Sequence, residues 1–313
     1  MPGFMARLAA VVLVTAVAGC AAPQTTKLLE SRASLGLPAQ ALIEDVPLIP
    51  QEDLFCGPAA LAMALTATGA LADQQEVARA IYTPGREGTL RNDVLGGARR
   101  WGRMAVPVGT LTDLLAEIAA GNPVIVFQNL SLDIAPQWHF ALAIGYDLDR
   151  RQIILNSGTT ERLRTDLSTF EHTWRRGNHW ALVVTAPDHL AATADEPEAM
   201  AGAAALERVR RLNEAAVAWQ AVIGRWPDSF GAHMGLGNTR FAQRDYAGAR
   251  AAFHRAADIR PLAPDAWNNL AYALARLGNR KAAIAAAEKA VSLGGDNPNY
   301  QDTLNEIRGL TAI

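Results

Sequence analysis

Cys56 stands where a helix would make a thiol reactive. Pro58 lies in the first turn of the run Cys56–Leu65, whose other residues are mostly good helix formers, so the sequence predicts a helix that begins at the cysteine. The unpaired N–H groups and the positive dipole end of such a helix favour the thiolate. We therefore expect Cys56 to be a nucleophile whose pKa is lower than that of an ordinary thiol, about 8.5.

Three polar residues are of the types that a cysteine nucleophile needs. His139 opens a predicted strand and is a candidate general base. Asn156 ends the next strand of the same hairpin, where its side chain would hold the ring of His139. Gln51, five residues before the cysteine, is a candidate donor to an oxyanion, together with the Cys56 N–H.

Each of these residues also fits an ordinary role. Asn156 begins a sequence typical of turns, Gln51 follows a proline as loop residues do, and a histidine among aromatic residues is usually part of a core. His179 has a similar setting at a strand edge and competes directly with His139 for the role of base.

Helices precede strands in the segment that holds these residues. Besides the helix at Cys56, helices are predicted over 74–82, 90–101 and 111–120, the last ended by Gly121. Strands are predicted over 124–127, 139–146, 152–155 and 180–184, with a hairpin connection at 147–151. This order is typical of an α+β domain.

The sequence around the cysteine and the histidine has a recognisable pattern. Cys56–Met63 reads CGPAALAM, and the strand that His139 opens continues into Gly145-Tyr146-Asp147. With these marks, residues 46–186 resemble the papain-like cysteine peptidases related to the double-glycine-leader, bacteriocin-processing family. The resemblance implies that Cys56 is the nucleophile, His139 the general base and then acid, Asn156 the orienting residue and Gln51 the oxyanion donor.

The order of the candidate residues along the chain favours His139 over His179, because Gln, Cys, His and Asn follow one another as in papain. Two details depart from the family pattern. Gln51 is one residue nearer the cysteine than is usual, and Asn156 stands where the leader peptidases mostly have Asp-Pro. The leader peptidases are also fused to transporters, so their substrate is not carried over.

The C-terminal third repeats with a period of 34 residues. The recurring positions are Ala215, Ala249 and Ala283; Trp219 and Phe253; Pro227 and Pro261; and Leu236, Leu270 and Leu304. They resemble tetratricopeptide repeats, helix pairs with small residues where the two helices cross. The resemblance covers about residues 206–308 and implies a half repeat, two full repeats and a closing helix. Such a solenoid either binds a protein or peptide or only packs on its neighbour.

The N-terminus has the pattern of a secretion signal. An apolar run over residues 8–18 is too short for a stable bilayer-spanning helix and ends in Val17-Ala18-Gly19-Cys20. That ending resembles a bacterial lipobox, which implies cleavage before Cys20 and acylation of its sulfur; a plain signal peptide is the alternative. Acylation would leave Cys56 as the only free thiol in an oxidising compartment, where a reactive role would explain it.

Composition excludes several classes of protein. A formal net charge of −2 without a basic block argues against nucleic acid as a partner. No second apolar stretch reaches the about 18 residues of a membrane span, which argues against a polytopic membrane protein. The six His and two Cys show no ligand spacing and no phosphate loop is present, so we predict neither a metal nor a cofactor.

We therefore predict an α+β papain-like cysteine peptidase domain followed by an all-α tetratricopeptide solenoid. The expected segments are a signal peptide (1–19), a tether (20–45), the peptidase-like domain (46–187), a linker (188–203) and the repeat domain (204–313). Ala21 is not the Asp of an inner-membrane retention signal, so we expect a lipoprotein of the bacterial cell envelope, in the outer membrane and facing the periplasm.

The expected function is hydrolysis of peptide bonds in a peptide or protein substrate, with the repeats binding a protein partner. Amide hydrolysis on peptidoglycan peptides would use the same nucleophile. An alternative of another class is an envelope binding protein that holds a partner in the papain-like cleft and the repeat groove without turnover.

Overall fold

A computed structural model describes residues 22–52, 54–86 and 88–309. The predicted signal peptide, residues 1–19, and the predicted acylation site at Cys20 lie outside the described residues. No helix in the described ranges is both long and apolar enough to cross a membrane. The chain forms two compact units. The first contains the described residues up to Ala67, with Asp73–Arg91 and Pro107–Val183; the second contains Thr68–Ala72, Asn92–Val106 and the chain from Val184 onward.

The helices up to residue 183 are α1 (Pro23–Ser31), α2 (Cys56–Ala67), α3 (Gln74–Ile81), α4 (Arg91–Arg100), α5 (Leu111–Ala119) and α6 (Leu167–Arg176). The strands are β1 (Gln40–Leu42), β2 (Tyr82–Thr83), β3 (Gly88–Thr89), β4 (Met104–Val108), β5 (Val124–Asn129), β6 (Trp138–Asp147), β7 (Gln152–Ser157), β8 (Thr160–Asp166) and β9 (Ala181–Thr185). All the helices and strands predicted in this segment are present. Seven further elements of the described chain are not predicted, namely α1, α6, β1, β2, β3, β4 and β8.

The main sheet has the strand order β4-β9-β5-β6-β7-β8, and β1 pairs with part of β6. Along the order β9-β5-β6-β7-β8 each strand pairs with the next in antiparallel fashion, which agrees with the predicted α+β class. The short strands β2 and β3 form a separate antiparallel pair.

Helix α2 is the buried centre of the first unit. Its residues from Gly57 to Leu65 are all buried, and it packs against β6. A helix that is apolar on every side is stable only inside a core. The structure confirms that this helix begins at Cys56.

The tether predicted over residues 20–45 does not match its described part, which is folded onto the first unit. Helix α1 buries Leu28, and β1 pairs with β6 so that Gln40 lies opposite Asp147. A segment of nine residues with one buried leucine has too weak an apolar pattern to be distinguished from a polar connection.

A buried carboxylate fixes the start of α1. Glu171 on α6 is almost wholly inaccessible and accepts hydrogen bonds from the N–H groups of Gln24 (2.9 Å) and Thr25 (2.6 Å). The first N–H groups of a helix have no partner within the helix, and a carboxylate satisfies them while facing the positive dipole end. The side chain of Gln24 in turn accepts the N–H of Leu111, the first residue of α5, at 2.6 Å.

From Glu196 onward the described chain of the second unit is a series of helices. Its helices are α7 (Glu196–Arg208), α8 (Leu212–Arg225), α9 (Phe230–Ala242), α10 (Tyr246–Ile259), α11 (Pro264–Arg276), α12 (Arg280–Gly294) and α13 (Pro298–Gly309). They form the helix pairs that the 34-residue period predicts.

The linker predicted over residues 188–203 is wrong in its second half, which is the first turns of α7. Asp195 and Glu198 form a reciprocal capping box at the start of this helix. Ala199 and Ala203 are fully buried in an apolar cluster of the second unit that also contains Met104. A helix face made of alanines gives no apolar stripe in the sequence, although it allows neighbouring helices to approach closely. The sequence of such a buried helix therefore looks like that of a linker.

Glycines allow aromatic rings to lie against the backbone of α9. The ring of Trp219 from α8 occupies the place of a Cβ at Gly235, and the ring of Phe253 from α10 occupies that of a Cβ at Gly237. Trp219 and Phe253 are 34 residues apart, so the two rings occupy equivalent positions of successive repeats.

We predict that Gly237→Ala lowers the free energy of unfolding by about 1–3 kcal/mol, because the new methyl group overlaps the ring of Phe253. The matched control is Gly224→Ala on α8. No atom lies near a Cβ at this exposed position, so the exchange should raise the free energy of unfolding by up to about 1 kcal/mol. Denaturant titration followed by circular dichroism measures both, and equal values for the two variants would contradict the predicted packing.

Candidate active site

Cys56 is the first residue of α2 and is half-buried. Leu54, two residues earlier, has a φ of 65°, in the left-handed region that leucine rarely adopts. Gly57 follows the cysteine, and a Cβ there would lie 2.7 Å from the Cβ of Thr89 on β3. The strained turn and the glycine together let the start of α2 lie close against the neighbouring chain.

Cys56 and His139 line one cleft of about 760 Å³ in the first unit. His139 lies near the start of β6, and the main-chain N–H of the next residue, Phe140, lies close enough to the Cys56 sulfur to influence its pKa. The packing of α2 on β6 therefore brings together the two residues that the sequence predicts as nucleophile and base.

Burial changes the acid–base properties of both groups. Desolvation raises the pKa of the Cys56 thiol, and the N–H groups of Phe140, Gly57 and Cys56, which lower it, offset only part of that effect. The N–H groups of the helix terminus thus lower the pKa of Cys56 as the sequence predicts, but burial outweighs them, so the pKa is raised where the sequence predicts a net lowering. Desolvation also lowers the pKa of His139. At neutral pH both shifts favour a neutral thiol and a neutral imidazole, and a neutral imidazole has one ring nitrogen free to accept a proton.

Ser157, and not Asn156, lies behind the His139 ring. The Ser157 Oγ is 2.9 Å from the Nε2 of His139. In the tautomer with hydrogen on Nε2, the ring donates to this hydroxyl and keeps Nδ1 free to accept a proton.

Strand pairing explains why Ser157, and not Asn156, contacts His139. Asn156 on β7 lies opposite Leu142 on β6, and residues opposite each other share a face of the sheet. His139 is three residues before Leu142 and therefore points to the other face, because side chains alternate along a strand. Ser157, the next residue after Asn156, lies on the face of His139.

Asn156 does not have the orienting role that the sequence predicts. It is fully buried, its Nδ2 donates to the carbonyl of Val46 (3.3 Å), and its Oδ1 accepts the N–H of Arg162 (3.1 Å). These bonds tie neighbouring segments to β7. Period-two alternation shows that Asn156 and Ser157 lie on opposite faces of the sheet, but the register of β7 against β6 is needed to tell which of them shares the face of His139.

Gln51 lies at the cleft, as its predicted role requires. Its backbone N–H donates to the carbonyl of Gly158 at 3.2 Å, which holds it beside the end of β7. The Oε1 of its amide is buried and has no hydrogen-bond partner among the described residues. The side chain of Gln51 is thus present at the site, and its amide oxygen accepts no hydrogen bond from the described residues.

His179 does not compete for the site. Its ring packs edge-on against Trp174, with 4.9 Å between ring centroids, and His179 is not among the described residues that line the cleft. Its neighbour Asn178 does line the cleft. The preference for His139 that follows from residue order agrees with this placement.

One wall of the cleft is aromatic and one rim is cationic. Phe127 and Trp138 stack with ring centroids 5.2 Å apart, and Trp138 is 51% exposed. The guanidinium of Arg91 lies 5.6 Å from the centre of the Phe127 ring, and Arg176 donates two hydrogen bonds to the carbonyl of Asn129. Among the described residues that line the cleft, both charged ones are these arginines.

Two family models match the chain. The Peptidase_C39 like family matches residues 43–181, and a tetratricopeptide repeat model matches residues 200–264 and 236–298. No curated protein matches the chain.

Solved structures similar to this chain fall into the same two groups. The peptidase domain of Streptococcus ComA, a bifunctional ABC transporter involved in quorum sensing, is 20% identical with a TM-score of 0.38 and covers 45% of this chain and 98% of its own. A double glycine motif protease from an AMS/PCAT transporter, in complex with the leader peptide, is 21% identical with a TM-score of 0.35 and covers 47% and 98%. The first tetratricopeptide domain of Spaghetti (RPAP3), bound to an HSP90 peptide, is 15% identical with a TM-score of 0.35 and covers 37% and 95%.

We predict that iodoacetamide alkylates Cys56 more slowly in the folded chain than in the unfolded chain at pH 7. Burial raises the pKa of Cys56, so the thiolate fraction at neutral pH is smaller in the folded state and grows only as the pH rises beyond the ordinary thiol range. A Cys20→Ser variant leaves Cys56 as the only cysteine, and mass spectrometry follows its modification between pH 6 and 10, with and without urea. Faster alkylation of the folded chain at pH 7 would contradict the raised pKa.

Proposed function

This chain joins a C39-like peptidase domain to tetratricopeptide repeats, and we propose that the peptidase domain hydrolyses peptide bonds with Cys56 as nucleophile and His139 as general base. The observation that supports the proposal most is the position of Cys56 at the start of a buried helix, in the same cleft as His139 and beside the Phe140 N–H.

The neutral thiol and imidazole suit attack with concerted proton transfer. The sulfur of Cys56 bonds to the substrate carbonyl carbon as its proton moves to Nδ1 of His139. The tetrahedral intermediate then breaks its C–N bond, and His139 returns the proton to the departing amine. A water molecule, deprotonated by the same imidazole, hydrolyses the thioester and restores the free thiol.

The oxyanion of the intermediate needs hydrogen-bond donors. Main-chain N–H groups at the first turn of α2, with the side-chain amide of Gln51, are the donors that the cleft supplies. Ser157 is a positioning residue in this scheme, because its hydroxyl accepts the Nε2 hydrogen and keeps the basic nitrogen toward the cysteine.

The walls of the cleft suit a peptide with an apolar or aromatic side chain and an acidic group nearby. The exposed face of Trp138 would contact the apolar side chain, and Arg91 and Arg176 would attract the acidic group. The repeats would hold a protein or a second part of the same substrate.

A binding role without turnover is the second candidate function. It is favoured by the raised pKa of Cys56 and by the absence of an amide or carboxylate partner for His139 among the described residues, since Ser157 is a neutral orienting group. In this case the cleft and the repeats would hold the same peptides uncleaved.

We predict that the mature chain generates new N-termini in a periplasmic extract, and that Cys56→Ala abolishes them because the nucleophile is lost. His139→Ala should reduce cleavage by about 10²- to 10⁴-fold through loss of the base. Mass spectrometry of labelled N-termini measures the products.

The matched control is His179→Ala. It should leave cleavage within about twofold of wild type, because it changes neither Cys56 nor His139 nor any described residue that lines the cleft. The binding role would be established instead by two results together: the wild-type chain generates no new termini in the extract, and Cys56→Ala captures the same peptides as the wild-type chain.

We also propose that Cys20 is acylated and that the protein is anchored in the outer membrane facing the periplasm. The proposal rests on the lipobox-like ending Val17–Cys20 after an apolar run. We predict that the mature chain begins at a diacylated Cys20 and partitions into detergent, while Cys20→Ala does neither. Intact-mass measurement of membrane-extracted protein tests this, and an unmodified N-terminus beyond residue 20 would contradict it.

A further inference from the structure

The turn that leads into α2 needs support from the structure around it. Leu54 has a φ of 65°, and a residue other than glycine keeps this left-handed conformation only where its surroundings hold it. The side chain of Leu54 is 51% exposed, so packing of that side chain is not the main support. Cys56 follows two residues later, and a shift of the turn would therefore move its sulfur.

The β2–β3 hairpin contacts the residue on each side of Cys56. The ring of Tyr82 on β2 meets the ring of Phe55 edge-on, with 5.3 Å between the ring centroids. Thr89 on β3 lies against Gly57, where the Cβ, Oγ1 and Cγ2 of the threonine are 2.7, 2.9 and 3.1 Å from the place of a Cβ. The nucleophile therefore lies between two contacts that one hairpin makes.

Strand register places both contacts on one face of the hairpin. Tyr82 is paired with Thr89 across the two strands, and Thr83 is paired with Gly88. Residues directly opposite each other share a face, and the next pair along the strands faces the other way. Tyr82 and Thr89 thus form the face that packs on the turn. Because Gly88 and Thr89 also line the cleft, the hairpin that holds the turn is a wall of the site.

The side chain of Thr89 supplies shape to this contact and not a hydrogen bond. Its Oγ1 is buried and has no hydrogen-bond partner among the described residues. A buried hydroxyl without a partner adds no stability. Branching at Cβ, in contrast, restricts the rotamers of threonine and makes its side chain rigid. A rigid side chain against a residue without a Cβ leaves the start of α2 little room to move.

We propose that Thr89 is a positioning residue for Cys56, and that the β2–β3 hairpin holds the first turn of α2 in place for attack. The proposal rests on the proposed function, in which the Cys56 sulfur attacks the substrate carbonyl carbon. Thr89 acts through Gly57, because the N–H groups of Gly57 and Cys56 belong to the turn that it holds and lie near the sulfur. A displaced turn would misplace the sulfur and these N–H groups together.

The test exchanges the sizes of the two touching residues. The mature chain with Cys20→Ser, in which Cys56 is the only thiol, is compared with Thr89→Gly, with Gly57→Ala and with the double variant. Thr89→Gly removes the contact, and Gly57→Ala forces the turn and the hairpin apart. The double variant places the new methyl group in the space that the threonine side chain vacates. The rate at which iodoacetamide alkylates Cys56 reports on the turn without any need for a substrate.

We expect both single variants to be alkylated faster than the wild-type chain, because a displaced turn uncovers the half-buried thiol. The double variant should return most of the way to the wild-type rate. For a synthetic peptide that spans a cleavage site found in the extract, Thr89→Gly should lower kcat by about 10- to 100-fold and change KM less, since misplaced reacting atoms slow the chemical step. If the wild-type chain cleaves nothing, the proposed function fails, and the alkylation rates still decide the positioning role.

Two further variants separate shape from other effects. The conservative exchange Thr89→Val keeps the shape without the hydroxyl and should restore the wild-type alkylation rate and kcat. Thr83→Gly makes the same exchange as Thr89→Gly on the opposite face of the hairpin and should leave alkylation unchanged. Circular dichroism confirms that each variant is folded, and if Gly57→Ala does not fold, Thr89→Gly and Thr89→Val decide the question.

Three results would overturn the positioning role. The first is a wild-type alkylation rate in Thr89→Gly. The second is an equal rise in Thr83→Gly, which would mean that only the stability of the hairpin matters. The third is a loss of kcat in Thr89→Val as large as that in Thr89→Gly, which would assign the hydroxyl to the substrate.

Discussion

The packing of helix α2 against strand β6 is the contact on which the candidate site depends. The helix is buried from Gly57 to Leu65, so its position is set by the core and not by the loop before it. Because Cys56 is the first residue of that helix and His139 lies near the start of β6, one packing contact brings nucleophile and base into the same cleft. The same burial partly desolvates both side chains, which raises the pKa of Cys56, lowers that of His139 and so favours the neutral forms of both groups.

Local patterns were sufficient to predict the central elements. The run that starts at Cys56 predicts both the helix and its first residue, and the 34-residue period predicts the helix pairs of the second unit. The register of β7 against β6 was harder to predict. Asn156 and Ser157 are adjacent, and only the pairing of Asn156 with Leu142 shows which of them shares a face with His139. The direction in which the pKa of Cys56 shifts was likewise not predictable. A helix terminus can be recognised in a sequence, whereas the desolvation of a side chain cannot.

Two segments that look like connections are parts of the structure. Helix α1 is held by hydrogen bonds that its first N–H groups donate to Glu171, about 150 residues further along the chain, which no local pattern can indicate. The start of α7 is buried through Ala199 and Ala203, whose small side chains give no amphipathic signal. These two corrections shorten the free chain before the peptidase domain and remove half of the expected linker after it.

The central claim is that Ser157 holds a neutral His139 with its hydrogen on Nε2. Nitrogen-15 NMR of histidine-labelled protein tests this directly, with His139→Ala used to assign the signal among the six histidines. The account predicts that at pH 7 the ring of His139 is neutral and carries its hydrogen on Nε2, and that its pKa lies below the ordinary value of about 6.5. In Ser157→Ala the ring should be a mixture of the two tautomers, whereas in the wild-type chain it should not. A ring protonated on Nδ1, a charged ring at pH 7, or a signal unaffected by Ser157→Ala would contradict it.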